Sequence, residues 1–557
     1  MGSDLAAQEA RAGFFAGHGY TPMDLRWYAG VDQLGYSLIS QPVMALLGVR
    51  VTGALSLLAA AVLLAVLLRR TAAPRPLLGA VVGTACLAGN LVSGRVTYGL
   101  GVCLGLAALV ALTAGPRRVW LAAPLALVAG ATSPVAALFL GLAGAALLLS
   151  GRIRPGLLLA VPAAVPLALT ALLFGDGGWM NISRTDTVRA VVAGLVVAAL
   201  VPRRPVRIGA LLSSAGVLAA ALIHTPVGLN ATRLAVMFTL PLLAAYAAWP
   251  SLTVFPRRTT TASPSTASPS TASPSTASPS TASPSVTSPS VTSPSGAAPS
   301  TAASSSSGGA PSLPPPRERP ARPARPLPGW AVLALLIAAC WWQPPVVIGD
   351  VRDIGNPTAD PAYFHPLLDR LAQEDLTGRV EIPSTRDYWE AAHLGDVPLA
   401  RGWLRQADID RNPLFFTEIP GARGTGVALT ADSYRLWLDE LAVQFVAVPD
   451  TELTWSGRPE AELVTAGLPY LTRIWRNDDW QLYRVTGARP IVSPPARLVR
   501  QDAASLTVDA AAAGTVALRL RWSRWLTADN GATLERQGDW TTMRVPGSGR
   551  YTVTSPG

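Results

Sequence analysis

Two arginines stand where an apolar chain has least use for them. Arg95 interrupts the long apolar stretch 77–114 in NLVSGRVTYG, and Arg233 closes HTPVGLNATR just ahead of LAVMFTLPLL. A guanidinium at the edge of an apolar layer can grip a lipid phosphate or pyrophosphate through two parallel hydrogen bonds. Carboxylates able to serve beside it as a general base occur at Asp24 and Asp32 in MDLRWYAGVDQLGYSLISQP, a segment that also holds Arg26, Trp27 and Tyr28. Asp176 follows in GDGGWMNISRTD, together with Arg184 and Asp186, and His224 and Asn230 share the turn of Arg233. These residues define the candidate site: Asp24, with Asp32 as second choice, for proton removal, and Arg95, Arg233, Asp176, His224 and Asn230 for substrate binding. The plain alternative for each is a loop charge snorkelling to lipid headgroups.

Other chemistries find less support. The four histidines, His18, His224, His365 and His393, are scattered, and the three cysteines, Cys86, Cys103 and Cys340, all lie in apolar runs without CxxC or Cys/His spacing. No cofactor is firmly implied, and a divalent metal is left open. No P-loop, nucleophile elbow or dinucleotide fingerprint occurs, so coupling to ATP within the chain is not expected. NIS at 181–183 and NAT at 230–232 match glycosylation sequons of low specificity, and Asp478-Asp479 reads as a hairpin turn. The net charge of +11 comes from short arginine clusters between apolar runs, with no basic stripe interleaved with aromatics, which argues against a nucleic-acid partner.

The elements that must position these residues are mostly apolar helices. Half of the chain is hydrophobic and 14% is charged, where a soluble chain carries about a quarter charged residues. A helix that crosses a bilayer needs about 20 apolar residues. Spans are expected at about 43–68, 77–93, 96–114, 119–133, 134–149, 156–174, 188–201, 208–223, 233–249 and 330–348, with 119–149 alternatively a re-entrant hairpin. Arginine clusters at 69–75, 117–118, 152–154, 203–207, 257–258 and 317–325 all fall on one side of that alternation. The positive-inside rule makes this side cytoplasmic. Residues 1–40 and everything after 348 then lie outside a plasma (inner) membrane of bacterial type, facing membrane lipid. The opening residues, MGSDLAAQEARAGFF, lack the basic start and apolar core of a signal peptide. Prolines 124, 134, 162, 166 and 241 fall within expected spans and are tolerated there only if neighbouring helices re-satisfy the backbone.

The expected fold class is a mainly α-helical polytopic bundle of about ten spans with a C-terminal extracytoplasmic α/β plus β-sandwich region. Its parts are an N-terminal loop (1–42), the bundle (43–249), a Ser/Pro-rich linker (250–329), a final span (330–348), an α/β domain (349–490) and a β-sandwich-like domain (491–557). The linker repeats TASPS and drifts into VTSPS, a composition that cannot bury a core. Beyond it, GRVEIP (378–383) reads as a strand and STRDYWEAAHL (384–394) as a helix capped by Ser384. DSYRLWLDEL reads as a helix, AVQFVAVPD as a buried strand, LTRIW and WQLYRV as a hairpin, and TTMRVPGSGRYTVT as a second hairpin.

DLRWYAGVDQLGYSLISQPVMALLG, SGRVTYGLGVCLGLAAL, ATSPVAALFLGL, GLNATRLAVMFTLPLL, GRVEIPSTRDYWEAAHL, VPLARGWLRQADIDRNPLFF and LPYLTRIWRNDDWQLYRV resemble actinobacterial multi-pass membrane proteins related to the C-type glycosyltransferase superfamily. The resemblance implies an inverting enzyme, a polyprenyl-phosphate sugar as donor and a cell-envelope glycan as acceptor. It also implies an acidic residue of the first outer loop as base, which matches Asp24 here. That superfamily has a span before this loop, so an apolar segment encoded ahead of Met1 is expected. A transporter is the competing reading, although no internal repeat is visible and the charges lie at span ends rather than at the midplane. A non-catalytic envelope protein that binds glycan or a partner is the other. The topology has a direct test. A cysteine placed at Ser505 should react with a membrane-impermeant thiol reagent applied from outside, and one placed at Ser273 should not; the reverse pattern overturns the orientation.

Overall fold

A computed structural model of the protein describes residues 2–175, 177–249, 325–346, 348–352 and 354–556. Helices occupy the apolar runs. They are α2 (Ser40–Leu47), α3 (Val49–Arg70), α4 (Pro76–Val92), α5 (Val96–Leu112), α6 (Ala122–Thr132), α7 (Pro134–Leu149), α8 (Ile153–Leu173), α9 (Arg184–Leu200), α10 (Arg204–Leu222), α11 (Arg233–Tyr246) and α12 (Gly329–Trp342), preceded by α1 (Leu5–His18). Four stretches, α3, α8, α10 and Gly228–Tyr246, are long and apolar enough to cross a membrane. The others fall short of the ten full spans expected. Most are apolar helices of 10–17 residues, and α9 opens with Arg184, Asp186 and Arg189. The linker expected over 250–329 lies, from 250 to 324, outside the described residues.

Helix boundaries follow from local chemistry. Pro76 and Pro134 start α4 and α7, where a missing N–H costs nothing, and the Ser133 hydroxyl accepts from the Ala136 N–H to cap α7. Inside the bundle, small residues let backbones meet: a side-chain carbon on Gly144 of α7 would lie 2.8 Å from the Gly156 carbonyl of α8. Arginines of the 69–75 and 203–207 clusters meet at one end of the bundle. Arg203 donates to the carbonyls of Thr71 and Ala72, and Arg75 to those of Ala244, Ala247 and Leu327.

At the other end sits the segment expected to be a loop. Residues 5–18 are helical instead, and β1 (Met23–Asp24) pairs antiparallel with β2 (Val31–Asp32). Alanine, leucine and glutamine favour a helix here, and α1 is buried almost all round: Leu5, Ala6, Ala10 and Phe14, but also Gln8 and Arg11. Gly94 fixes its start. The glycine adopts φ +73°, and a side-chain carbon there would lie 2.6 Å from the Leu5 nitrogen. Only glycine meets both conditions.

The C-terminal region continues the same core. Short helices α13 (Ile348–Arg352), α14 (His365–Leu371), α15 (Glu390–His393), α16 (Arg405–Arg411), α17 (Ala431–Glu440) and α18 (Arg458–Thr465) surround a four-stranded sheet. Its order is β3 (Arg379–Glu381), β4 (Val443–Pro449), β6 (Trp480–Val485), β5 (Leu471–Arg476), with β3 parallel to β4 and the rest antiparallel. Two further sheets follow. One has β7 (Ala496–Gln501), β8 (Ser505–Ala510), β10 (Thr527–Ala528) and β13 (Gly549–Thr554); the other has β9 (Gly514–Arg521), β11 (Thr533–Gln537) and β12 (Trp540–Val545). Leu506, Val508 and Val553 from the first meet Val516, Leu518 and Met543 from the second in a shared core.

Two local expectations are corrected. TTMRVPGSGRYTVT is not a hairpin, because β12 pairs with β9 and β11 while β13 pairs with β8 and β10. The Pro-Gly-Ser-Gly link crosses from one sheet to the other, which lets both strands turn an apolar face to the shared core. STRDYWEAAHL is helical only over Glu390–His393. Tyr388 takes φ +59°, and Thr385 spends its hydroxyl and N–H on the buried Glu390 carboxylate rather than on a helix cap.

The Gly94 contact has a measurable consequence. Gly94→Ala should destabilise the fold by about 2 kcal/mol and expose residues 4–22 to limited proteolysis while the bundle stays intact. Unchanged protection of that segment would show that the N-terminal helix is held by other contacts.

Candidate functional site

The two arginines singled out from the sequence do meet, but on a carboxylate that had not been considered. Arg95 Nε and Arg233 Nη2 each lie 3.1 Å from Asp4 Oδ2. Local structure explains the meeting. Arg95 immediately precedes α5, Arg233 is the first residue of α11, and Asp4 immediately precedes α1, so the positive ends of three helix dipoles converge on one place. The Asp4 N–H is tied to the Ser93 carbonyl at 3.2 Å, one residue before the Gly94 turn. Burial by itself would raise the Asp4 carboxyl, but the charges of Arg95 and Arg233 outweigh it and hold the group below its ordinary value. The three side chains remain about 20–30% exposed, so the cluster is reachable rather than sealed.

One turn further along α1, Gln8 donates to the Tyr36 hydroxyl at 3.1 Å and accepts from Thr97 Oγ1 at 2.6 Å. Another turn on, Arg11 lies over the rings of Tyr36 and Trp403. Asp4, Gln8 and Arg11 thus form one polar face at i, i+4, i+7. Trp403 belongs to the C-terminal region, and its neighbour Arg405 carries a third guanidinium to within electrostatic reach of Asp4. The Tyr388 hydroxyl accepts from Arg405 at 3.4 Å. Tyr98 packs its ring 5.5 Å from the Arg233 guanidinium carbon, and its buried hydroxyl has no hydrogen-bond partner among the described residues. Beneath Arg95 a narrow crevice of about 10 Å³ lies between α3, α4 and α5, lined by residues including Gly53, Ser56, Ala60, Asn90 and Gly99.

The remaining expected site residues are placed elsewhere. Asp24 is fully buried and accepts from Arg26 Nη2 at 2.7 Å, Gln33 Nε2 at 2.6 Å and the Arg26 backbone N–H at 3.0 Å. These donors occupy both of its oxygens and tie the 24–33 segment together. Asp32 stands opposite Met23 in the small ladder. His224 stacks on Trp179 with ring centroids 4.2 Å apart, and Asn230 Nδ2 points at the Met180 sulfur at 3.5 Å. These contacts join the turn ahead of Arg233 to the loop at 179–180, and among the described residues neither side chain bonds to Arg95 or Arg233. Asp176 lies outside the described residues. Asp4 falls in the stretch that the sequence reads as an N-terminal loop. The signal was present: an Asp directly before a run of helix formers marks a helix start.

A second charged cluster lies deep in the C-terminal region. Arg401 pairs with Asp408 at 3.1 Å, Glu460 at 2.8 Å and Glu381 at 3.4 Å, and Tyr434 donates to Glu460 at 2.9 Å; all five are buried. Three carboxylates cannot all ionise around one guanidinium. Burial pushes Glu460 up to about 7, and burial plus the neighbouring Glu460 charge pushes Glu381 well above the usual carboxylate range. Burial likewise lifts Glu390 to about 7. Among the described residues no group of histidine, cysteine, aspartate and glutamate is arranged to hold a metal ion.

No family model, curated protein or solved structure matches this chain.

The buried acids set a pH dependence. Their folded-state values exceed the unfolded value of about 4.5, so their stabilisation is complete below that pH and fades as pH rises through about 7. The Tm of the C-terminal region should fall between pH 5 and pH 8, and Glu381→Gln, which keeps a neutral group in place, should flatten that fall. An unchanged slope in the variant would assign the titration to other groups.

Proposed function

We propose that this chain is a glycosyltransferase-like membrane protein that moves a sugar from a polyprenyl-phosphate-linked donor to a cell-envelope acceptor on the outer face of the membrane. The observation that carries the reading is the Asp4 carboxylate held between Arg95 and Arg233. Two guanidinium groups suit a phosphate at a membrane edge. In this reading the shorter apolar helices cross the membrane with the longer ones. The arginine-rich end is cytoplasmic, and the C-terminal region stands outside.

The chemistry then assigns roles. The donor phosphate takes the place of Asp4 on the two guanidinium groups. Freed from those charges, the Asp4 carboxylate becomes more basic and removes the proton of an acceptor hydroxyl. The hydroxyl oxygen bonds to the anomeric carbon as the bond from that carbon to the phosphate oxygen breaks. The departing phosphate keeps its charge on Arg95 and Arg233. Asp4 replaces Asp24 in this scheme, since Asp24 has no free oxygen to offer.

The two carboxylates are separable by experiment. Asp4→Asn should lower sugar transfer from a polyprenyl-phosphate-linked donor by about a hundredfold or more while the protein stays folded in membranes. Asp24→Asn should instead reduce the yield of folded protein. Full transfer by Asp4→Asn moves the base elsewhere, and no transfer by the unaltered protein across a panel of donors favours a binding protein.

A further inference from the structure

The arginine of the C-terminal region is the least explained charge near this site. Arg405 is half-buried and makes no ion pair among the described residues; its one recorded polar contact is the 3.4 Å bond to the Tyr388 hydroxyl. A half-buried guanidinium without a carboxylate costs free energy. The surroundings hold it there. Trp403 packs edge-on against Tyr36 at 5.4 Å and lies 4.8 Å from the Arg11 guanidinium carbon, and Tyr36 bonds Gln8, so the residues just before α16 are held against the polar face of α1 that Asp4 begins. Tyr388 is held in a left-handed conformation that a bulky residue adopts only under constraint.

The other two arginines are used differently. The Arg95 and Arg233 donors converge on a single oxygen of Asp4, the space of one anionic group. Arg405 lies within electrostatic reach of Asp408 and of Asp4 and makes an ion pair with neither among the described residues. A ligand that satisfies all three guanidinium groups therefore has two linked anionic centres. The hydroxyl of Tyr98, a residue 3% exposed beside Arg233, has no hydrogen-bond partner among the described residues and adds a donor.

We propose that Arg405, supported by Tyr388, is a binding residue for the second phosphate of a diphosphate group whose first phosphate lies on Arg95 and Arg233. The C-terminal region thereby completes the site and selects diphosphate over monophosphate. This rests on the anion-binding reading of the Asp4 cluster, but not on sugar transfer.

Full-length protein in detergent, titrated with inorganic phosphate and with pyrophosphate, tests it. The unaltered protein should bind pyrophosphate at least tenfold more tightly than phosphate. Arg405→Gln should reduce that preference to about twofold while phosphate affinity holds, and Arg405→Lys should restore part of it. Arg95→Gln should weaken both anions, which marks the shared first position. Thermal melts of each variant separate loss of binding from loss of fold. Competition by polyprenyl diphosphate in lipid nanodiscs identifies a lipid headgroup as the source, whereas pyrophosphate binding without that competition identifies a soluble diphosphate. Equal affinity for the two anions in the unaltered protein, or an undiminished preference in a folded Arg405→Gln, overturns the proposal. A transfer-inactive protein that still shows the Arg405-dependent preference would keep it and discard only the enzymatic reading.

Discussion

Everything at the functional end of this protein depends on how the backbone of residues 22–33 satisfies its hydrogen bonds. The segment is buried, and with itself it makes a two-residue ladder and two further bonds, from the Gly30 N–H to the Trp27 carbonyl and from the Gln33 N–H to the Pro22 carbonyl. Buried N–H and C=O groups must find partners, and the C-terminal region supplies them. The Leu25 N–H donates to the Ala503 carbonyl, the Leu399 N–H to Arg26, and the Arg521 N–H to Ala29. The Tyr28 hydroxyl reaches the Gly402 carbonyl at 2.5 Å. Trp27 and Tyr28 are 1% exposed and share one core with Leu5, Val96, Phe364 and Trp480. Bundle, N-terminal segment and C-terminal region therefore pack as one body, and this joint positions Arg405 beside Asp4.

The charged groups divide according to whether water reaches them. Around Arg401 the carboxylates are sealed, and burial is relieved by raising their proton affinity and sharing hydrogen bonds. Asp24 and Arg26 are sealed as a pair, where removing either partner would strand the other's charge. Around Asp4 the side chains stay partly open, with Arg95 and Arg233 sharing one of its oxygens. The same residue types are thus sealed in two places and reachable in the third.

The two clusters are also close along the chain. Arg401, Gly402, Trp403 and Arg405 lie within five consecutive positions, with Arg401 anchored in the acidic cluster and Trp403 seated on Tyr36 and Arg11. The anchoring at Arg401 restrains the stretch that ends at Arg405. The site thereby gains rigidity from a core it does not touch, a common means of holding a binding group in place.

Apolar periodicity and arginine spacing determined much by themselves: where the helices of the bundle run, that Arg95 and Arg233 lie at a common end, and that β-rich structure closes the chain. These are local or nearly local properties, because a helix of lipid-like residues needs no partner to declare itself and proline and glycine mark its ends. Which carboxylate meets the arginines was decided by tertiary structure. Asp24 and Asp4 are both acidic residues near the start of the chain, and only the docking of α1 on the Gly94 turn sends Asp4 to Arg95 while Arg26 and Gln33 enclose Asp24. Arg405 lies more than 300 residues from either in sequence. Its arrival depends on contacts between segments whose pairing no periodicity records. The routing of β12 and β13 into different sheets is of the same kind, for a strand's alternation shows that it has two faces but not which strand lies beside it.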